Sequence, residues 1–146
     1  AAQYDEWLIV EEAIHGREIE VAVLENDRPL ASVPGEITPG AEFYDYKDKY
    51  EDGATLQIPS ALSESETTEV QELALKVFNI LRCRGLARVD FFYDDEAKIW
   101  FVNEINTMPG FTPISMFPKL WNASGMSYED LIDTLIQNAL IDSPME

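Results

Sequence analysis

Residues 86–106 read LARVDFFYDDEAKIWFVNEIN. Two runs of strand-formers, Leu86–Tyr93 and Lys98–Ile105, flank Asp94–Ala97, which has turn chemistry. The spacing predicts an antiparallel hairpin. In a strand, residues i and i+2 share a face. Arg88 and Asp90 are one such pair, and Glu104 and Asn106 are another. A hairpin brings the pairs together, so that one guanidinium, two carboxylates and one amide converge if they share a face. Apolar residues would fill these alternate positions on a purely structural face. Here the polar pair interrupts Leu86-Ala87 and Val89-Phe91-Phe92. Buried charge is costly unless it is paired or metal-bound. Spacing alone leaves two readings open: a metal site or a solvated salt-bridge face. Oxygen donors without His or Cys favour Mg²⁺ or Mn²⁺ over zinc.

Downstream, Phe101–Ser115 reads FVNEINTMPGFTPIS. After Glu104 and Asn106 the chain turns through Thr107-Met108-Pro109-Gly110. Proline fixes the backbone there, and glycine leaves an N–H approachable. Oxygen ligands followed by free backbone N–H groups suit a hard cation holding a phosphate.

The net charge is −18, from 28 acids and 10 bases. Nucleic-acid binding needs clustered Lys and Arg, so nucleic acid is disfavoured as a partner. The surplus of acids serves solubility, yet it equips the chain poorly to hold a polyphosphate without Mg²⁺, well-placed bases or help from elsewhere. The 146 residues are 46% hydrophobic and 11% aromatic, enough for one folded domain with a core. No apolar run approaches membrane-span length, and no signal peptide is evident. A single cysteine, Cys83, excludes an internal disulfide framework and fits a reducing compartment. There is no initiator Met, and Ala1–Asp5 reads as the tail of a preceding element, so a fragment is expected.

Upstream, residues 6–14 read as a strand running into a linker. Residues 18–24, EIEVAVL, alternate acidic and apolar side chains with period two, the mark of a half-buried strand. Asn26-Asp27 turns the chain, and residues 28–34 return as a third strand, giving an antiparallel meander. Residues 37–58 read as an ordered, aromatic loop around EFYDYKDKY. Ser63-x-x-Glu66 is a capping box for a helix whose apolar positions run from Val70 to Leu81, with Gly85 as its stop. Ser127-x-x-Asp130 caps a last helix to about Leu140. The order βββ, loop, α, ββ, loop, α predicts an α+β fold, an antiparallel sheet with flanking helices.

These residues carry a resemblance. ARVDFF with NEINTMPGFTPIS, preceded by PGEI…EFYDYKDKY and VEEAI-x-GREIEVAVL, resembles the D-alanine–D-alanine ligases. The match runs from about Trp7 to Leu140 and covers the C-terminal half of that family's ATP-grasp region. The resemblance implies one subdomain over residues 1–146, with a mobile lid at about 37–58. It implies ligation of two D-alanines for peptidoglycan synthesis in the bacterial cytoplasm. ATP phosphorylates one carboxylate, and an amine then attacks the acyl phosphate.

In the resembled family, Asp90, Glu104 and Asn106 bind two Mg²⁺ ions, with Mn²⁺ as a substitute and Glu104 bridging. Arg88 holds the transferring phosphate, and the Gly110 N–H completes the oxyanion site. Ser115 and the Met116 N–H hold the carboxylate of the second D-alanine. Glu11, Ala13 and Ile14 surround adenine, Glu18 takes the ribose hydroxyls, and Phe43 lies near the base. Lys49 reaches the γ-phosphate, and Tyr50 faces the second substrate and favours the dipeptide over a D-lactate product. The expected ligands are ATP and D-alanine, with no nucleic acid and no membrane. A full-length enzyme is expected to be a homodimer and the fragment a monomer. The phosphate-gripping lysines and the glycine-rich loop of the other ATP-grasp half lie upstream of any segment present, so the isolated chain is expected to be inactive.

Without the resemblance, Glu11-Glu12 is two acids at a strand end, Glu18 the polar face of a strand, and the aromatic loop a packed cover. His15 reads as a turn residue, Cys83 as structural, Lys47 as solvated, and Trp7, Trp100 and Trp121 as core or core edge. Two alternatives remain: another ATP-grasp carboxylate–amine ligase, or a non-catalytic folding or interaction module.

Overall fold

The structure, a computed structural model, describes residues 3–38, 55–112 and 114–142. Six strands form one sheet: β1 (Arg17–Glu25), β2 (Pro29–Ala31), β3 (Gly35–Thr38), β4 (Thr55–Gln57), β5 (Leu86–Asp94) and β6 (Ile99–Asn106). The path is β4-β3-β1-β5-β6, and β2 also pairs with β1. Every pairing is antiparallel. Helices α1 (Glu64–Ile80), α2 (Met116–Ala123) and α3 (Tyr128–Asp142) flank the sheet. The expected α+β layer is what forms.

Residues of alternate parity feed two cores. Ile19, Val21, Val23, Ala87, Val89, Phe91 and Tyr93 pack against Val70, Ala74 and Phe78 of α1. Ala22 and Leu24, on the other face, pack with Ile37, Met116, Phe117, Leu120, Trp121 and Leu131. The second face is therefore apolar only toward the end of β1 that carries Ala22 and Leu24. The rest of that face is left to Glu18, Glu20, Arg88, Asp90, Glu104 and Asn106.

The capping box at Ser63 and the cap at Ser127 both form. Ser63 N donates to Glu66 Oε2 at 2.9 Å, and Glu66 N donates to Ser63 Oγ at 3.3 Å. Asp130 N donates to Ser127 Oγ at 3.1 Å. The hairpin turn shifts by one residue, to Asp95–Lys98, because Asp94 Oδ1 accepts from Glu96 N and Ala97 N, each at 2.9 Å.

Several readings are corrected. Residues 7–15 form no strand; they run extended and mostly exposed, with Trp7 and Ile9 open to solvent rather than at a core edge. Periodicity in so short a segment cannot supply the partner strand that a ladder needs. The third strand, expected over 28–34, is shortened to β2, and β3 follows after a break to pair further along β1. Ser32 marks the break: Ser32 N donates to Ala22 O at 2.9 Å, and Ala22 N turns to Ser32 Oγ at 3.0 Å. The long loop starts and ends as an antiparallel pair, β3 with β4.

Gly85 does not stop α1. The chain leaves the helix at Leu81, and Arg82 takes the left-handed backbone, with φ 53°. Gly85 also has positive φ, but there it pairs with β1, since Glu25 N donates to Gly85 O at 2.7 Å. Helix α2 stands where a loop is expected; Pro118 hides it from the pattern, although proline is tolerated in a helix's first turn. The alternation in β1 suggested a solvent face, yet β1 is central, and Glu20 is buried with its apolar neighbours.

Candidate functional site

The two polar pairs of the hairpin do converge. Arg88 lies opposite Asn106, and Asp90 lies opposite Glu104. A register shift between Asp90 and Phe91 lets the strand absorb Asn103 without turning the pairs apart. On the other side of β5, Asp90 lies opposite Glu20 of β1. Directly opposed residues project to one face. Glu20, Asp90 and Glu104 therefore form a row across three strands.

Arg88 organises this row. Its Nε donates to Asp90 Oδ1 at 2.8 Å and its Nη2 to Asp90 Oδ2 at 2.7 Å, a two-pronged pair. The same Nε lies 3.1 Å from Glu20 Oε2. The side chains of Glu20 and Asp90 are 3% and 2% exposed. Burial works against the charge on Arg88, but the Asp90 hydrogen bonds and the pull of Glu20, Asp90 and Glu104 outweigh it and hold its pKa above the ordinary value. Glu104 is exposed, and Asn106 is half-buried with its Oδ1 accepting from Met108 N at 3.1 Å.

A cavity of about 310 Å³ opens over the row. Glu18, Glu20, Arg88, Asp90, Glu104, Asn106, Gly110, Ser115 and Met116 line it, with Ile37, Leu56, Thr112 and Ile114 completing the wall. Four carboxylates thus face a single guanidinium among the described residues.

The far wall is the start of α2. Ser115 is its N-cap residue, but Ser115 Oγ makes no capping bond. Instead it accepts from Thr112 N at 3.0 Å and lies 2.9 Å from Thr112 Oγ1. The first N–H groups of α2 keep no side-chain cap, which favours an anion there. Phe111 anchors this loop: its ring meets Phe117 and Tyr128 at 5.5 and 5.9 Å, and its carbonyl accepts from Tyr128 Oη at 2.9 Å.

Asp90, Glu104 and Asn106 offer hard oxygen donors with lone pairs left after Arg88 and Met108 N are satisfied, which fits Mg²⁺ or Mn²⁺. Among the described residues no three acidic, His or Cys side chains close into a ready ligand shell. Arg88 occupies the space between Glu20 and Asp90.

Of the other expected site residues, Glu11 and Ala13 lie on the exposed extended segment and Ile14 is half-buried before β1, outside the cavity lining. Phe43, Lys49 and Tyr50 lie outside the described residues. Sequence reasoning missed Glu20, Thr112 and Ile114. Glu20 had a signal, being an acid at i+2 from Glu18 and flanked by Ile19 and Val21. A larger hollow of about 520 Å³ lies beside α2, between Ile58, Pro118, Lys119, Asn122, Ala123 and Tyr128. It gathers one charged side chain, so the chemistry belongs to the smaller cavity.

Comparison with known proteins gives the same direction. Residues 1–137 match the family described as D-ala D-ala ligase C-terminus. A D-alanine–D-alanine ligase of Oceanobacillus iheyensis is 57% identical over 142 residues, covering 96% of this chain and 38% of the relative. The ligase structure from Coxiella burnetii superposes with a TM-score of 0.80 at 47% identity, over 95% of this chain and 36% of that one. The Bacillus anthracis D-alanine–D-alanine ligase complexed with ATP has a TM-score of 0.71 at 32% identity, over 90% of this chain and 42% of that one. The chain therefore spans well under half the length of the relatives it matches. With its antiparallel sheet, its polar row and its helix-capped cavity, the chain belongs to the D-alanine–D-alanine ligase C-terminal family, of the ATP-grasp fold.

Proposed function

We propose that this chain supplies a D-alanine–D-alanine ligase with the part of the active site that holds the phosphates and the second amino acid. The observation that carries the reading is the opposition across one cavity: four carboxylates and Arg88 on the sheet, and the uncapped start of α2 facing them. A polyphosphate entering so acidic a wall needs cations to come with it. Two Mg²⁺ ions, or Mn²⁺, would be held by Asp90, Glu104 and Asn106 and would neutralise charge on the phosphates.

The chain's own groups take the remaining work. Arg88, fixed on β5 by Asp90 and Glu20, holds the transferring phosphoryl group and the oxyanion of the tetrahedral intermediate. The Gly110 N–H adds a second donor to that oxyanion. Ser115 and the Met116 N–H take the carboxylate of the acceptor D-alanine at the positive end of α2. Glu18 accepts from the ribose hydroxyls, while Glu11, Ala13, Ile14 and Phe43 surround adenine. Lys49 meets the γ-phosphate and Tyr50 faces the acceptor, and closure of their loop excludes water from the acyl phosphate. The complete ligase would act in the bacterial cytoplasm, in peptidoglycan synthesis, as a homodimer. Among the described residues no helix is long and apolar enough to cross a membrane.

The test is product analysis in a complete ligase carrying this sequence, offered D-alanine, D-lactate, L-alanine and D-serine with ATP and Mg²⁺. D-alanyl-D-alanine as the main product supports the reading. A different main product moves the chain to another carboxylate–amine ligase. Calorimetry with Mg²⁺ and ATP on wild type and Glu104→Gln tests the non-catalytic alternative, which requires equal behaviour of the two.

A further inference from the structure

Glu20 is buried in the site, and the mechanism above gives it no task. It is 2% exposed, at the centre of β1, opposite Asp90. A carboxylate buried to that degree needs compensation. Part of it comes from Arg88, whose Nε is 3.1 Å from Glu20 Oε2 and 2.8 Å from Asp90 Oδ1. That N–H bonds Asp90, and Glu20 Oε2 stands beside it as an ion-pair partner. Nη2 goes to Asp90, at 2.7 Å, so both Asp90 oxygens are engaged.

This arrangement lets a cation reach Asp90 only beside the guanidinium, on the lone pairs that Arg88 leaves. A divalent cation on Asp90 would meet the guanidinium at the same two oxygens, and like charges repel. The Arg88 side chain is only 15% exposed and springs from the middle of the sheet, so water is a poor alternative partner. A second carboxylate already within reach is a better one.

We propose that Glu20 is a positioning residue for Arg88: it holds the guanidinium in the cavity when Asp90 is taken over by a divalent cation. Arg88 then stays charged, desolvated and aimed at the phosphoryl group. The shift is short, because the Nε contact to Glu20 exists before the cation arrives. This inference rests on the reading of Asp90 as a metal ligand.

The experiment uses the purified 146-residue chain, as wild type and Glu20→Gln, which keeps the shape and removes the charge. Free Mn²⁺ is followed by electron paramagnetic resonance, and the Arg88 Nε–H signal by ¹⁵N NMR with and without Mg²⁺. In wild type, Mg²⁺ should move that signal while leaving it protected from solvent exchange. In Glu20→Gln, Mg²⁺ should raise its exchange by about tenfold or more, as expected when a charge-assisted hydrogen bond is lost. If the Gln variant does not fold, Glu20→Asp, with its carboxylate drawn back by one methylene, should give a smaller rise in the same direction. Mn²⁺ bound by both proteins with identical Arg88 signals overturns the inference and leaves the metal reading intact. No Mn²⁺ bound by wild type overturns both.

Discussion

Ser115 Oγ stands 2.8 Å from where a Cβ on Gly110 would lie. A methyl group at residue 110 would push the hydroxyl off Thr112, the partner that holds it away from the helix start. Gly110→Ala should therefore cost about 1 kcal/mol in urea unfolding. In a complete ligase it should raise KM for the acceptor amino acid by roughly tenfold, with little change in KM for ATP. Equal changes in both constants would show that Gly110 does not set the acceptor side.

Arg88 separates two buried carboxylates that face each other across β1 and β5. Removing it leaves an acid pair without its counter-ion. Arg88→Met should destabilise by roughly 3–5 kcal/mol, whereas Asp90→Asn, which leaves Arg88 with Glu20, should cost less. Mg²⁺ should raise the Tm of Arg88→Met more than that of wild type, because the cation replaces the missing charge. Thermal melts with and without Mg²⁺ check both statements.

The helix α1 cap and the hairpin meet at Glu66. Tyr93 Oη donates to Glu66 Oε1 at 2.5 Å, and Lys98 Nζ lies 3.0 Å from the same oxygen. These bonds, Tyr93 first and then the Ser63 backbone and hydroxyl, hold the Glu66 carboxyl well below the ordinary carboxylate value of 4.5. A carboxylate with a depressed folded pKa contributes stability above its unfolded pKa and loses it as pH falls toward the folded value. Stability should therefore decline below about pH 4.5, and Glu66→Gln should flatten that acid limb. Urea midpoints across the acid range test this, and an unchanged slope in the variant would refute it.

Tyr128 reaches from α3 to the loop that bears Gly110 and Thr112, through its bond to the Phe111 carbonyl. Tyr128→Phe keeps the ring contact and removes only the hydroxyl. A loss of about 1 kcal/mol is expected, with faster amide exchange in residues 110–112 and none in the α1 core. Exchange rising equally in both regions would contradict a local role.

Gly16 leads into β1 where its backbone touches β5: a Cβ there would lie 2.8 Å from Tyr93 O. Backbone on the far side cannot give way as a side-chain tip can. Gly16→Ala should cost roughly 1–3 kcal/mol, measured by chemical denaturation.

Local chemistry made much of the architecture legible. The capping box at Ser63 and the cap at Ser127 give their helix starts because their hydrogen bonds close within four residues. The hairpin and its i, i+2 pairs follow from period two, but the convergence of Arg88, Asp90, Glu104 and Asn106 needs the bulge at Asn103, without which Asp90 would face Asn103. Helix α2 was hidden because an eight-residue helix with Pro118 and no capping box has little local signature. The β2–β3 break was hidden because it depends on Ser32 answering Ala22 across the sheet.

The sequence by itself determined the alternation of β1 and β5 and therefore which side chains share a face, since the side-chain period belongs to the backbone. It could not say how each face is covered. Tertiary structure decided that α1 covers the β1 and β5 side chains of one face, while α2 and α3 cover only the Ala22–Leu24 end of the other. That choice buried Glu20, set it against Arg88 and left a cavity above Asp90. The physical reason is that burial and charge pairing are properties of what packs across a strand, from residues as distant in the chain as Glu20 and Met116, and no local pattern encodes that neighbour.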